Sequence, residues 1–137
     1  MEGLAVIGER IGHVGLVVED MTRSVQFYQR LGLQVERTMA FPGREITIMC
    51  SNGDAHAKLE LLRYEQTDLD DRVPEDRTGL GLRHLAIHVS DIGSAFAALA
   101  REGVVMLPDP PFQQSNGPAI AFGMDPDGVL LEFTEID

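Results

Sequence analysis

Ile11-Gly12-His13-Val14-Gly15-Leu16-Val17-Val18-Glu19-Asp20 and Leu82-Arg83-His84-Leu85-Ala86-Ile87-His88-Val89-Ser90-Asp91 are two copies of one pattern. In each, a histidine stands in a run rich in Val, Ile and Leu, and an aspartate follows it by seven residues. The histidines lie 71 residues apart. Working outward, Gly32 and Gly103 each follow their histidine by nineteen, and Leu59-Glu60-Leu61 matches Leu131-Glu132-Phe133 with the glutamates 72 apart. Four landmarks that recur in order at offsets of 71 or 72 mark a tandem repeat.

Local signals agree with that division. Alternation over residues 11–18 and 82–89 predicts strands. Asp20 and Asp91 predict helix starts, because a short carboxylate accepts the free N–H groups of a first turn. The helices are expected to run to about Leu31 and Glu102. Met21, Val25, Tyr28 and Leu31 form one apolar stripe, and Ile92, Phe96, Leu99 and Ala100 the other. Gly32 and Gly103 stand where a left-handed terminal residue is wanted. Asn52-Gly53 separates a strand at 45–50 from one at 57–63, and Asp125-Pro126-Asp127-Gly128 separates 119–124 from 129–135. Each half reads β-α-β-β-β, an α+β class, with module 1 at about 10–64 and module 2 at about 81–136. Between them, residues 65–80 form an acidic linker with Asp68, Asp70, Asp71, Glu75 and Asp76 around Pro74. It lacks the glycine and closing glutamate of a calcium loop and is read as solvated. The Pro-rich segment 107–118 is read as a loop, or as a lid over substrate.

Composition narrows the partners. With 137 residues, 44% hydrophobic and 24% charged, the chain has the size and balance of one globular domain. Its 11 basic and 22 acidic residues give a net charge of −11, which repels phosphate backbones and anionic lipid, so neither nucleic acid nor membrane is expected as a partner. Cys50 is the single cysteine, so no internal disulfide forms. The first ten residues have neither the basic start nor the apolar run of a signal peptide. No stretch approaches the roughly 18 apolar residues of a membrane span. A soluble, cytoplasmic protein is expected.

The chemistry lies in the matched histidines and glutamates. Side chains of one parity share a strand face, which groups Ile11, His13, Gly15 and Val17, and likewise His84, Ala86 and His88. Glu60 shares a face with Lys58 and Leu62, and Glu132 with Leu130 and Thr134. Both glutamates stand in apolar runs, where an inward carboxylate is costly without a cation. Two imidazoles and two carboxylates suit an octahedral Ni, Co, Mn, Fe or Zn ion better than a closed thiolate site, and they leave two positions for water or a bidentate substrate. One such residue alone is more often a satisfied core or rim residue; recurrence as a quartet is what points to a shared ion. His56, past a turn, is expected to be exposed. His88 lies roughly 13 Å along the strand from His84, too far for the same ion. Cys50 reads as a small buried side chain, and Arg44, Arg63, Arg83 and Arg101 as anion contacts or ordinary surface residues.

Gly12-His13-Val14-Gly15-Leu16-Val17-Val18, Phe27-Tyr28-Gln29-Arg30-Leu31-Gly32-Leu33 and Asp125-Pro126-Asp127-Gly128 with Leu131-Glu132-Phe133 resemble the vicinal oxygen chelate superfamily. The resemblance covers about residues 10–135. That superfamily includes glyoxalase I, methylmalonyl-CoA epimerase, extradiol dioxygenases, fosfomycin-resistance proteins and bleomycin-binding proteins. It implies two βαβββ modules forming an eight-stranded cup, usually in a homodimer, with one divalent metal held by His13, Glu60, His84 and Glu132. The first strand and helix are similar to the epimerases, which usually carry Gln at the position of Glu60; glyoxalase I carries Glu there. Bacterial glyoxalase I has an Arg where this chain has Val17, a departure that counts against glutathione. By the same resemblance Glu132 is the proton-transfer base, Glu60 the second carboxylate, and Glu45 stands near an additional catalytic glutamate of the epimerases. Phe112, Phe122 and Met124 read first as core packing residues, with the lining of an apolar pocket as the alternative. The implied activity is that of a metal-dependent lyase or isomerase acting on a small-molecule carbonyl or thioester substrate. An extradiol-type dioxygenase, using two His and one Glu, and a metal-free small-molecule binding protein are the alternatives.

Overall fold

The computed structural model describes residues 5–52, 54–67, 80–115 and 117–136. Its elements run β1 (Val14–Val17), α1 (Met21–Arg30), β2 (Leu33–Phe41), β3 (Arg44–Ser51), β4 (Asp54–Tyr64), β5 (Leu85–Val89), α2 (Ile92–Arg101), β6 (Leu107–Gln113), β7 (Ala119–Met124) and β8 (Leu130–Glu135). The chain divides into two units, Met1–Thr67 and Asp68–Asp137. Each unit has one helix and one four-stranded sheet, ordered β1-β4-β3-β2 in the first and β5-β8-β7-β6 in the second. The α+β class and the repeated β-α-β-β-β order are those predicted. In both sheets the first strand lies parallel to the last, with Gly15 opposite Glu60 and Ala86 opposite Glu132. The other pairings are antiparallel.

Both helices start as the sequence predicts. Asp20 and Asp91 are extended residues whose carboxylates accept from the N–H groups of Arg23 and Ser94, each at 3.0 Å. Gly32 and Gly103 follow the helix ends with φ of 92° and 90°, a backbone setting that costs other residues strain. Replacing Asp20 or Asp91 by Ala should each remove about 1 kcal/mol of stability. Urea unfolding would show it as a lower midpoint at constant slope; an unmoved midpoint would mean that the cap bond contributes nothing.

Strand register separates a packed face from a working face, with β3 buried on both over residues 46–49. In the first unit Tyr28, Met49 and Leu61 have 0% exposure, and Ser24, Thr47 and Leu59 are buried with them. These strand residues are the odd positions of β3 and β4, so the even positions, Glu60 among them, occupy the other face. The second unit repeats this: Leu131, Phe133 and Ala121 are buried with Ile92 and Leu99 of α2, and Glu132 faces away from them. Ala100 is exposed, and Ala95 takes part in the half-buried side of α2 instead.

Several expectations need correcting. The first strands begin one residue after their histidines, at Val14 and Leu85. The segment read as a Pro-rich loop contains strand β6, which pairs with β7 through Leu107 opposite Phe122, Phe112 opposite Ile120 and Gln113 opposite Ala119. The pairing is irregular between Leu107 and Phe112, where Pro108, Pro110 and Pro111 have no N–H to give. An edge strand tolerates this, because one of its rows of backbone groups needs no partner within the sheet. In β2 the pairing shifts by one residue between Val35 and Arg37. The turn at Asp125 forms as expected, its carboxylate accepting from the N–H groups of Asp127 and Val129 at 2.9 Å each. Gly53 and residues 68–79, which carry most of the acidic linker, lie outside the described residues. Among the described residues no helix is long and apolar enough to cross a membrane.

Candidate metal centre: two His–Glu pairs

Glu60 is placed by β4 between Gly15 of β1 and Ile48 of β3. His13 precedes β1 by one residue and shares the face of Gly15, since the two are separated by two positions. Its imidazole Nε2 stands 2.9 Å from Glu60 Oε2. The second unit builds the same pair: Glu132 lies between Ala86 of β5 and Phe122 of β7, and His84 Nε2 stands 3.2 Å from Glu132 Oε2. The parallel pairing makes both contacts, setting a residue two places before the first strand's partner within reach of the carboxylate. Gly15 and Ala86, the residues directly beside each glutamate, are too small to stand in the way.

The glutamate side chains are 18% and 21% exposed, the histidines 52% and 41%. The carboxylates are therefore withdrawn among the strands while the imidazoles stand at the mouth. A withdrawn carboxylate with one side-chain partner keeps capacity for further donors or a cation. Both separations lie near the ~3.0 Å expected between neighbouring ligands about 2.1 Å from an octahedral ion. Imidazole nitrogen and carboxylate oxygen are also the donor types that Ni, Co, Zn, Mn and Fe accept. On chemistry and spacing each pair fits such an ion. Among the described residues no group of three or more His, Cys, Asp or Glu stands together to hold one.

Beside the second pair the face is apolar. The Phe122 ring stands edge-on to His84, with centroids 6.3 Å apart. Phe122 also lines a pocket of about 320 Å³ with Leu107, Pro108, Phe112 and Ile120. Phe112 and Phe122 thus line a pocket, the alternative to core packing that the sequence leaves open; Met124 is not in the lining. Sequence reasoning misses Leu107, Pro108 and Ile120, because the Pro-rich segment hides β6 and the register that brings it to β7.

The remaining candidates fall elsewhere. Ile48 opposite Glu60 fixes the parity of β3 and puts Glu45 on the other face, opposite Arg63. Glu45 Oε1 lies 4.0 Å from Arg63 Nη1. His56 is exposed, and its backbone N–H donates to Asp54. His88 is exposed on the face of His84, opposite Thr134. Cys50 is half-buried rather than buried and lies on the Glu60 face. Arg44 lies over the Phe41 ring at 4.8 Å.

Comparison with known proteins shows the family to which this fold belongs. The family model of the Glyoxalase/Bleomycin resistance protein/Dioxygenase superfamily matches residues 10–133. A lactoylglutathione lyase of Haemophilus influenzae is 31% identical over 130 residues, covering 92% of each chain. The mitochondrial methylmalonyl-CoA epimerase of Mus musculus is 27% identical over 131 residues, 92% of this chain and 72% of its own. Among solved structures, the trypanothione-dependent glyoxalase I of Leishmania major superposes with a TM-score of 0.72 at 26% identity, over 93% of this chain and 87% of that one.

Proposed function

This chain belongs to the glyoxalase/bleomycin resistance protein/dioxygenase superfamily, and from that premise we propose that it is a divalent-metal-dependent lyase or isomerase that moves a proton next to a carbonyl group. The curated relatives named above are enzymes of these two kinds, a lyase and an epimerase. The observation that carries the reading is the repeated His–Glu pair, built at the same register position in both units.

One His13–Glu60 pair and one His84–Glu132 pair would hold the ion, in a homodimeric protein acting on a small carbonyl or thioester substrate. When bound, Ni, Co, Zn, Mn or Fe polarises a carbonyl oxygen and offsets the negative charge that develops as the neighbouring C–H loses its proton. Proton transfer belongs to the chain's own groups. Glu132 is the base: its carboxylate takes the proton, and His84 orients it from the strand mouth. Glu60 is a second carboxyl group: in its protonated form it delivers a proton to the opposite face where the reaction inverts a centre, and afterwards it regains a proton from water while Glu132 returns its own to water. The apolar wall of Phe122, Ile120 and Leu107 keeps water from the carbon. Glu45, on the far face beside Arg63, takes no part in this scheme.

Elemental analysis of protein purified without chelator or His tag tests the metal, with close to one Ni, Co, Zn, Mn or Fe per site as the expected result. The double variant His13→Ala, Glu132→Gln, which removes one donor from each pair, should lose that metal. Full occupancy in the variant would mean that the ion sits elsewhere. Protein that neither carries nor takes up metal would make the pairs structural.

A further inference from the structure

From the shape of β2 we infer that Arg37 is a specificity residue of this same site, binding a second, anionic group on the substrate: a carboxylate or a phosphate remote from the reacting carbonyl. Val35 pairs with Met49, yet Arg37 pairs with Ile48, so Glu36 is an inserted residue. One insertion reverses the parity of every later residue in the strand. In regular pairing Arg37 would lie opposite Thr47, on the helix-covered face. The bulge instead gives it the face of Ile48, and Ile48 lies opposite Glu60. The row across the sheet is therefore Gly15, Glu60, Ile48, Arg37.

The bulge is anchored. Lys58 Nζ lies 3.0 Å from Glu36 Oε2 and donates to Oε1 at 3.1 Å. That pairing neutralises Lys58, a second cation on this face, which also carries Arg44. Arg23 and Arg63 have carboxylates within 4.0 Å, and Arg44 lies over Phe41. The Arg37 side chain is exposed and has no ion pair or hydrogen bond among the described residues. A chain of net charge −11 repels anions at long range, so an anionic substrate needs a local free cation, and Arg37 provides one. Two strand spacings, roughly 9.6 Å, separate its backbone from that of Glu60, a gap that a guanidinium spans in part and a short substrate chain completes.

The second unit shows that this is a departure from the repeat. Its corresponding row is Ala86, Glu132, Phe122, Leu107. Where the first unit ends in a cation, the second ends in a leucine that lines the apolar pocket. The two units therefore differ in charge at the end of the matched row.

The inference rests on the carbonyl reading above, and one experiment separates the two. Calorimetric titration of the full metal-loaded chain would use 2-oxoglutarate and its 5-methyl ester, which share the carbonyl end and differ in charge at the far end. Wild type should bind 2-oxoglutarate about five- to tenfold more tightly, the range of a partly exposed guanidinium–carboxylate contact. Arg37→Met should make the two affinities equal while leaving that of the ester unchanged, and Arg37→Lys should keep part of the preference. Equal affinities in wild type, or a preference that survives in Arg37→Met, would overturn the role of Arg37 alone. Failure of both probes to bind wild type would overturn the carbonyl reading and this inference with it.

Discussion

Glu132→Gln should lower proton exchange next to the substrate carbonyl by about 10²- to 10⁴-fold, the usual contribution of a positioned base. The expected readout is deuterium incorporation in D₂O, followed by NMR on thiol-adduct and acyl-CoA substrates. Glutamine keeps the shape of the side chain and an oxygen for His84, but it cannot take up a proton. It is also a poorer metal donor, so metal content has to be measured on the same sample. The proposal expects the rate to stay low when metal is restored. A variant that exchanges at the wild-type rate would remove Glu132 from the reaction. Melting should change little, because Glu132 belongs to the face away from the packed core.

Phe133→Ala should have the largest effect on stability, a loss of about 3–5 kcal/mol. Phe133 is 1% exposed and lies on the packed face of β8, directly opposite Ala121, which is wholly buried. Its ring occupies space left by small neighbours. A Cβ on Gly123 would come within 3.6 Å of Phe133 Cε2 and 2.7 Å of Met106 Sδ. Ala121 and Gly123 cannot grow into the cavity, so truncation leaves a void that the strand pairing holds open. For a domain of this size the melting temperature should fall by roughly 10 °C or more. A loss under about 1 kcal/mol would show that Met106 and α2 collapse into the gap.

The fold is legible because the repeat makes every weak local signal count twice. One His, one capping Asp, one Gly and one Glu are commonplace; the same four at offsets of 71 or 72 are not, and both the helix limits and the order of elements along the chain come from them. The pairing of each histidine with its glutamate is readable for the same reason. The hidden features depend on register. The face of Glu45 is set by which residue of β4 stands opposite it, and that depends on a hairpin geometry which alternation does not encode. Strand β6 is masked by three prolines that its edge position tolerates. Nothing in the hydrophobic pattern raises Arg37 above Arg44, Arg63, Arg83 and Arg101, since a bulge at Glu36 leaves no mark there. A Glu–Arg pair in the middle of a strand, with Lys58 available across the sheet, is the one clue the sequence holds.

The parallel pairing of first and last strands has a consequence for how each unit comes into being. His13 and Glu60 are partners separated by a helix and two strands of sequence, and among the described residues β1 has no sheet neighbour other than β4. During synthesis the first histidine emerges early and waits with its strand unpaired until the final strand of its unit has left the ribosome. The His–Glu pair is thus the last thing a unit assembles. Within each unit, a formed His–Glu pair marks a fold that is already complete.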